Sequence, residues 1–181
     1  MEQQVYRFSQ TLAAVDFSGK SILDIGCGFG DYLHFIQNKN TASYWGWDLN
    51  SNFVQEARII FGEFGKFDVV DVSVEDNIKV YQGGVDIAVM LGLLNYNLNS
   101  EDDNYAYSQQ LICNAFSLVK EVLIVDCLSA YRTPDYPVED FVFYHEPSRM
   151  LDFALSLSSN AVLKHDYAPI PQKEFMLFIY K

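Results

Sequence analysis

A succession of apolar runs of strand length, each parted from the next by a stretch with helical spacing, confines this chain to few architectures. The runs are Ser21–Ile25, Ser43–Leu49, Phe67–Val72, Val85–Leu91 and Glu121–Leu128. Between them, Phe29, Tyr32, Leu33 and Ile36 share one helical face, as do Phe53, Ala57, Ile60 and Phe61. Asn50 or Ser51 can cap the latter helix. A further helix falls within Tyr105–Val119, and Pro147 opens another that Leu151, Ala154 and Leu155 support. Ahead of them all, Met1–Phe17 places Val5, Phe8, Leu12 and Val15 on one side of an amphipathic helix.

Strands that are apolar throughout are covered on both faces, which predicts a mainly parallel sheet between two layers of helices. Two closing runs, Asn160–Asp166 and Glu174–Tyr180, have no helix between them and predict an antiparallel pair at one edge, joined by Tyr167–Lys173. The expected fold is therefore a single α/β domain: a three-layer sandwich around a seven-stranded, mostly parallel sheet with an antiparallel last strand. Its ligands would sit beyond the carboxyl ends of the strands. Asp24, Asp48, Asp71 and Leu91 all fall at such ends.

The stretch Ile22–Asp31, ILDIGCGFGD, sets an acid inside the first strand and glycines at 26, 28 and 30 where strand hands over to helix. Glycine lets backbone approach a ligand, and the helix that follows offers free N–H groups to an anionic group. A dinucleotide loop would read G-x-G-x-x-G, but here Asp31 stands where its last glycine belongs. A pyrophosphate beside Asp24 would be repelled, whereas a cofactor with a cationic amine or sulfonium would be attracted. The electrostatics favour S-adenosylmethionine over NAD.

Bulk properties narrow the partners. The chain has 181 residues, enough for one sizeable core, and half of them are hydrophobic. No apolar run reaches membrane-spanning length, and the N-terminus lacks the sections of a secretory signal. Cys27, Cys113 and Cys127 are scattered without metal-ligand spacing, so reduced thiols in the cytoplasm, and no metal, are expected. A formal charge of −12 offers few cations to a polyanion, which disfavours nucleic acid and anionic membranes.

The run Asp24-Ile25-Gly26-Cys27-Gly28-Phe29-Gly30 resembles the first motif of class I S-adenosylmethionine-dependent methyltransferases, acid-x-G-x-G-x-G, whose fold is Rossmann-like. The resemblance extends over nearly the whole chain. It implies that Asp24, Gly26, Cys27, Gly28 and Gly30 bind the cofactor, with Cys27 contributing backbone rather than a reactive thiol. It also implies that Asp48, with Leu49 beside it, binds the ribose hydroxyls, and that Asp71 and Val72 contact adenine. Leu91 and Gly92, in LGLLNYN, would line the cofactor and face the acceptor. Apart from the resemblance, Asp48 can be read as a helix cap and Asp71 as a solvated strand end. The Pro-Gly-Gly turn often found before the fifth strand is absent, as is the Asn/Asp-Pro-Pro-Tyr signature of amino-methylating DNA enzymes.

The expected reaction is in-line methyl transfer to a small acceptor, releasing S-adenosylhomocysteine. For a hydroxyl acceptor His145 is the base candidate, with Tyr144 or Tyr96 as orienting groups; a capping role for His145 stands beside that reading. His34 and His165 read as structural or solvated, and Glu101–Asp103 as a solvated helix lead-in. Ser129–His145 is long for a connection and rich in aromatics, so with the N-terminal helix it is expected to wall the acceptor pocket. Two other classes stay open: a non-catalytic binder of S-adenosylmethionine or S-adenosylhomocysteine, and an NAD-dependent oxidoreductase.

Overall fold

The computed structural model describes residues 2–79, 81, 84–167 and 173–181. In chain order the elements are α1 (Glu2–Leu12), β1 (Ser21–Ile25), α2 (Asp31–Ile36), β2 (Ser43–Asp48), α3 (Ser51–Phe61), β3 (Lys66–Val69) and α4 (Glu75–Lys79). They continue with β4 (Val85–Met90), α5 (Glu101–Ser117), β5 (Val119–Leu128), α6 (Pro147–Leu157), β6 (Ala161–Lys164) and β7 (Glu174–Tyr180). One sheet takes all seven strands in the order β3-β2-β1-β4-β5-β7-β6. Neighbours from β3 through β5 are parallel, and β7 runs antiparallel to both β5 and β6. This is the Rossmann-like sandwich that the alternation predicts, with β7 as its one reversed strand.

The continuous apolar strands divide the core into two layers, because successive side chains leave opposite faces of the sheet. Leu23, Ala88, Met90, Leu123 and Val125 pack with Ile112, Ala115, Met150 and Ala154 of α5 and α6. Ile22, Ile87, Val89 and Ile124 pack instead with Phe8 of α1, Leu33 and Ile36 of α2, and Val54 and Ala57 of α3. Both edge strands, β3 and β6, are only four residues long and carry lysine, which discourages further strand pairing. Order reverses between β1 and β4, so the switch point of the sheet lies at their carboxyl ends.

Several boundaries differ from the periodicity. The first helix ends at Leu12, leaving Val15 beyond it and Val5 exposed, so only Phe8 of that stripe is fully buried. Phe29 sits outside α2, since left-handed backbone at Gly28 and Gly30 delays the helix to Asp31; its ring packs on Phe53, centroids 4.5 Å apart. Ile60 and Leu155 are exposed. β3 stops at Val69, so Asp71 and Val72 lie in the turn that leads into α4, a helix whose only buried residue is Ile78. α5 starts earlier than its apolar spacing, at Glu101, because the Ser100 hydroxyl accepts from Asp103 N at 3.3 Å and three acids meet the helix's positive end. The interior of the Tyr167–Lys173 connection, residues 168–172, lies outside the described residues. Its flanking strands pair antiparallel from Ala161↔Ile179 to Lys164↔Met176.

Candidate functional site

At the switch point the chain leaves β1 through a loop pinned to its neighbour: Gly26 N and Cys27 N both donate to Trp47 O, at 2.7 and 3.0 Å. Gly28 and Gly30 have φ of +54° and +87° but do different work. A Cβ on Gly30 would stand 2.8 Å from Phe61 Cδ2, so this glycine admits an aromatic ring of α3. A Cβ on Gly28 would meet nothing within 4 Å. Gly28 therefore presents bare backbone to open space, the arrangement a close ligand needs. The Asp48 carboxylate braces the same residue: Oδ2 accepts from Gly28 N at 2.9 Å while Oδ1 accepts from Asn50 N at 2.8 Å.

Beside the loop lies a cleft of about 180 Å³ lined by Asp24, Gly26, Cys27, Gly28, Tyr32 and Leu91, with Gln4 and Phe8 of α1 closing one side. Helix α1 is held there by the Thr11 hydroxyl, 2.8 Å from Tyr32 Oη. Asp24 is buried and accepts from Tyr44 Oη at 2.5 Å. Burial pushes its carboxyl up to about 7, against the Tyr44 hydrogen bond that favours the charged form. An acid poised in this way at a cleft floor gains from a cationic ligand. Burial also drives the Cys27 thiol far above its ordinary range, so no thiolate is available there.

Of the residues singled out by the motif, Asp24, Gly26, Cys27, Gly28 and Leu91 converge on this cleft, with Asp48 behind the loop. Gly30 packs under α3. Leu49 is 68% exposed beyond β2. Asp71 Oδ1 accepts from Ser73 N and Oγ at 2.9 and 2.6 Å, and Val72 is buried next to it. Gly92 N donates to Asp126 Oδ1 at 2.5 Å.

The expected catalytic trio does not gather at the cleft. His145 is 0% exposed, its Nε2 lies 3.1 Å from Ser108 Oγ of α5, and the rings of Tyr105 and Phe143 meet it edge-on. Burial lowers its pKa to about 4, which leaves it neutral but sealed from any acceptor. Its backbone bridges to Ser129, so the base assignment gives way to a structural one. Tyr96 is 69% exposed, and the Tyr144 hydroxyl accepts from Glu139 N within its own loop. His145→Ala should lower stability by about 3 kcal/mol through a cavity and a stranded Ser108, while leaving cofactor affinity of the folded protein unchanged. Urea unfolding and calorimetry check the two halves of that statement.

The segment 129–145 is tied to the chain after β4 by Phe143 N→Asn95 O and Asn97 N→Phe141 O, at 3.0 and 2.9 Å. Its Phe143 and Tyr144 line a separate cleft of about 460 Å³ with Asn97, Tyr105 and Glu146, on the α5 side. Helix α1, rather than this segment, walls the cleft at Asp24. Sequence reasoning missed Tyr44, which donates to Asp24, and Asp126, which accepts from Gly92 N. The signal for Asp126 was available, since it interrupts an apolar strand as Asp24 does.

A family model described as "Methyltransferase domain" matches residues 23–120, from the first strand to the start of the fifth. The chain belongs to this family, the class I S-adenosylmethionine-dependent methyltransferases. No curated protein matches the methyltransferase chain by sequence. Solved structures share its fold. Magnesium protoporphyrin IX methyltransferase from Synechocystis, with bound S-adenosylhomocysteine, is 18% identical with a TM-score of 0.68, covering 99% of this chain and 83% of its own. A methyltransferase from Archaeoglobus fulgidus is 12% identical with a TM-score of 0.70, covering 99% and 94%. One from Mesorhizobium loti is 13% identical with a TM-score of 0.69, covering 98% of each chain. Methyltransferases of this family use S-adenosylmethionine as methyl donor.

Proposed function

We propose that this methyltransferase binds S-adenosylmethionine against Gly28 and Asp24 and transfers its methyl group to a small-molecule acceptor. The observation that carries the reading is the pairing of a side-chain-free, left-handed Gly28 facing open space with a buried carboxylate at the same cleft. Bare backbone suits the close approach of a ligand, and the carboxylate suits its cationic amine and sulfonium. Each oxygen of Asp48 already accepts one backbone N–H and keeps a lone pair for a ribose hydroxyl. Asp71 and Val72 follow β3 at the place where adenine would lie.

When bound, the cofactor supplies a methyl group on positively charged sulfur, already activated for displacement. What remains for the protein is to hold two reactants in line and exclude water, and such positioning can supply roughly 7–11 kcal/mol. A general base typically adds only about 10²–10⁴-fold. The burial of His145 therefore weighs little against activity. A narrow cleft and a charge of −12 favour a small acceptor over a polyanion.

Calorimetry with S-adenosylmethionine, S-adenosylhomocysteine and NAD tests the cofactor: the first two should bind and NAD should not, because Asp24 would repel its pyrophosphate. Methyl transfer to a metabolite panel separates an enzyme from a protein that only holds the cofactor. Asp48→Ala should weaken S-adenosylmethionine by about tenfold or more, since it frees the loop at Gly28 as well as losing a ribose partner. Unchanged affinity in that variant would remove Asp48 from the site.

A further inference from the structure

Under α1, two strands along the sheet from Asp24, lies a second group of buried charges. Asp126 of β5 and Glu174 at the start of β7 are 1% and 4% exposed. Arg7 of α1 faces both, with Nε 3.3 Å from Asp126 Oδ2 and Nη1 3.9 Å from Glu174 Oε1. Strand register fixes their relation to the cofactor cleft. Asp24 pairs with Val89, which pairs with Ile124, so Asp126 stands one same-face step nearer the carboxyl edge. Glu174, opposite Leu128, stands a further step out. The three acids thus climb from the cleft toward the rim where ligands of such sheets bind. The turn after β4 adjoins them: Gly92 N donates to Asp126, and a Cβ on Gly92 would stand 3.2 Å from Arg7 Nη1.

Two features set this group apart from a structural ion pair. It sets two carboxyl groups against one guanidinium, one acid more than Arg7 alone can neutralise. It is also short of partners: Arg7 Nε, Glu174 Oε2 and the Tyr167 hydroxyl are buried without a hydrogen bond among the described residues. Arg7 Nε meets Asp126 at ion-pair distance but out of line. Burial, with Asp126 beside it, pushes Glu174 up to about 8, and burial raises Asp126 as well, both against the pull of Arg7. Unpaired buried polar groups destabilise a fold, and packed apolar side chains at the same place would not. Their arrangement suits a cation whose donors are better aimed than those of Arg7.

We propose that Asp126 and Glu174 receive a cationic nitrogen group of the methyl acceptor, an amine or amidine, and that Arg7 fills that place until the acceptor displaces it. The proposal rests on the methyltransferase reading of the cleft at Asp24 and names the chemical class of its second substrate. The Tyr167 hydroxyl offers the incoming group a third oxygen. The net negative charge of the whole chain draws such a cation in.

The test uses full-length protein loaded with S-adenosylhomocysteine and millimolar probes of matched shape: benzylamine, benzamidine, benzyl alcohol and benzoate. Binding is read from the NMR shifts of the Gly92 amide and the Tyr167 ring. The amine and amidine should shift both signals, and benzoate and the alcohol should not. Glu174→Gln and Asp126→Asn, which keep shape and remove charge, should each weaken the amine about tenfold. Arg7→Gln should strengthen it by a similar factor, because the internal competitor is gone. A merely structural Arg7 predicts the reverse, loss of order in α1 with no gain in amine binding. Equal binding of benzoate, an unmoved Gly92 signal with both cations, or weaker amine binding in Arg7→Gln would each overturn the proposal. Failure of the wild-type protein to bind S-adenosylhomocysteine would overturn the cofactor reading with it. Cofactor binding without cation binding would overturn this one alone.

Discussion

Gly28→Val should leave the protein folded but unable to hold S-adenosylmethionine, and Gly30→Val should do the opposite kind of damage. At Gly28 the new side chain enters open space, so the fold bears only the strain of a branched residue at positive φ, about 1–3 kcal/mol. That side chain would project into a cleft of about 180 Å³ and hold the ligand off the backbone. A loss of roughly 100-fold in affinity, near 2.7 kcal/mol, is expected. At Gly30 the same strain comes with a Cβ 2.8 Å from a Phe61 carbon, and overpacking adds about 1–3 kcal/mol. Such a sum removes a large part of the 5–15 kcal/mol typical of a domain. Urea unfolding and calorimetry on both variants separate the effects. Tight cofactor binding by folded Gly28→Val would mean that the cofactor lies elsewhere.

The second large effect concerns acidity. Because Asp24 titrates near 7 in the free protein and a cation favours its charged form, S-adenosylmethionine should bind fully above that pH and weaken as the solution is acidified. The limiting slope is about tenfold per pH unit for one proton. Asp24→Asn should flatten this dependence and lower affinity at pH 8 by roughly 10–100-fold. Stability should move the other way. A carboxyl raised on folding contributes stability that is complete below its unfolded pKa and is lost as pH climbs through the folded one. Asp24 and Glu174, raised to about 7 and 8, therefore make the cofactor-free protein progressively less stable as pH rises from about 4 to about 8, and Asp126 adds the same sign. Asp24→Asn should be the more stable protein at pH 9 and the poorer binder. Tyr44→Phe should shift the binding midpoint upward, since the hydroxyl that favours the carboxylate is gone. A flat affinity profile in the wild type would remove Asp24 from the cationic site. Thermal unfolding with and without cofactor across this range measures both trends.

Much of the fold was legible because β1, β4, β5 and β7 are apolar on both faces, and few arrangements bury such strands. β1 and β7 fall at the residues that the apolar runs mark. The short helix α4 was not legible, since one buried residue in five leaves no period to detect. The glycine loop was legible as a motif, yet the difference between Gly28 and Gly30 depends on Phe61, a residue of another helix. His145 misled for a similar reason. Its place after a strand and before Pro147 suggested an open loop, but α5 supplies Tyr105 and Ser108 to enclose it. Acids inside apolar strands carried the better signal. Asp24 and Asp126 both break such runs, and both sit at the base of something polar. What local pattern cannot supply is the partner: Arg7 reaches Asp126 and Glu174 from the opposite end of the chain.

The placement of β7 between β5 and β6 has a bearing on synthesis. Both flanking strands are translated before the one that joins them, so each waits with an unpaired ladder until Glu174–Tyr180 has left the ribosome. During that interval the long edge of β5, apolar from Val122 to Val125, is open to pairing with other chains. Removal of this segment would expose that edge permanently and release β6, giving aggregation rather than a smaller soluble core.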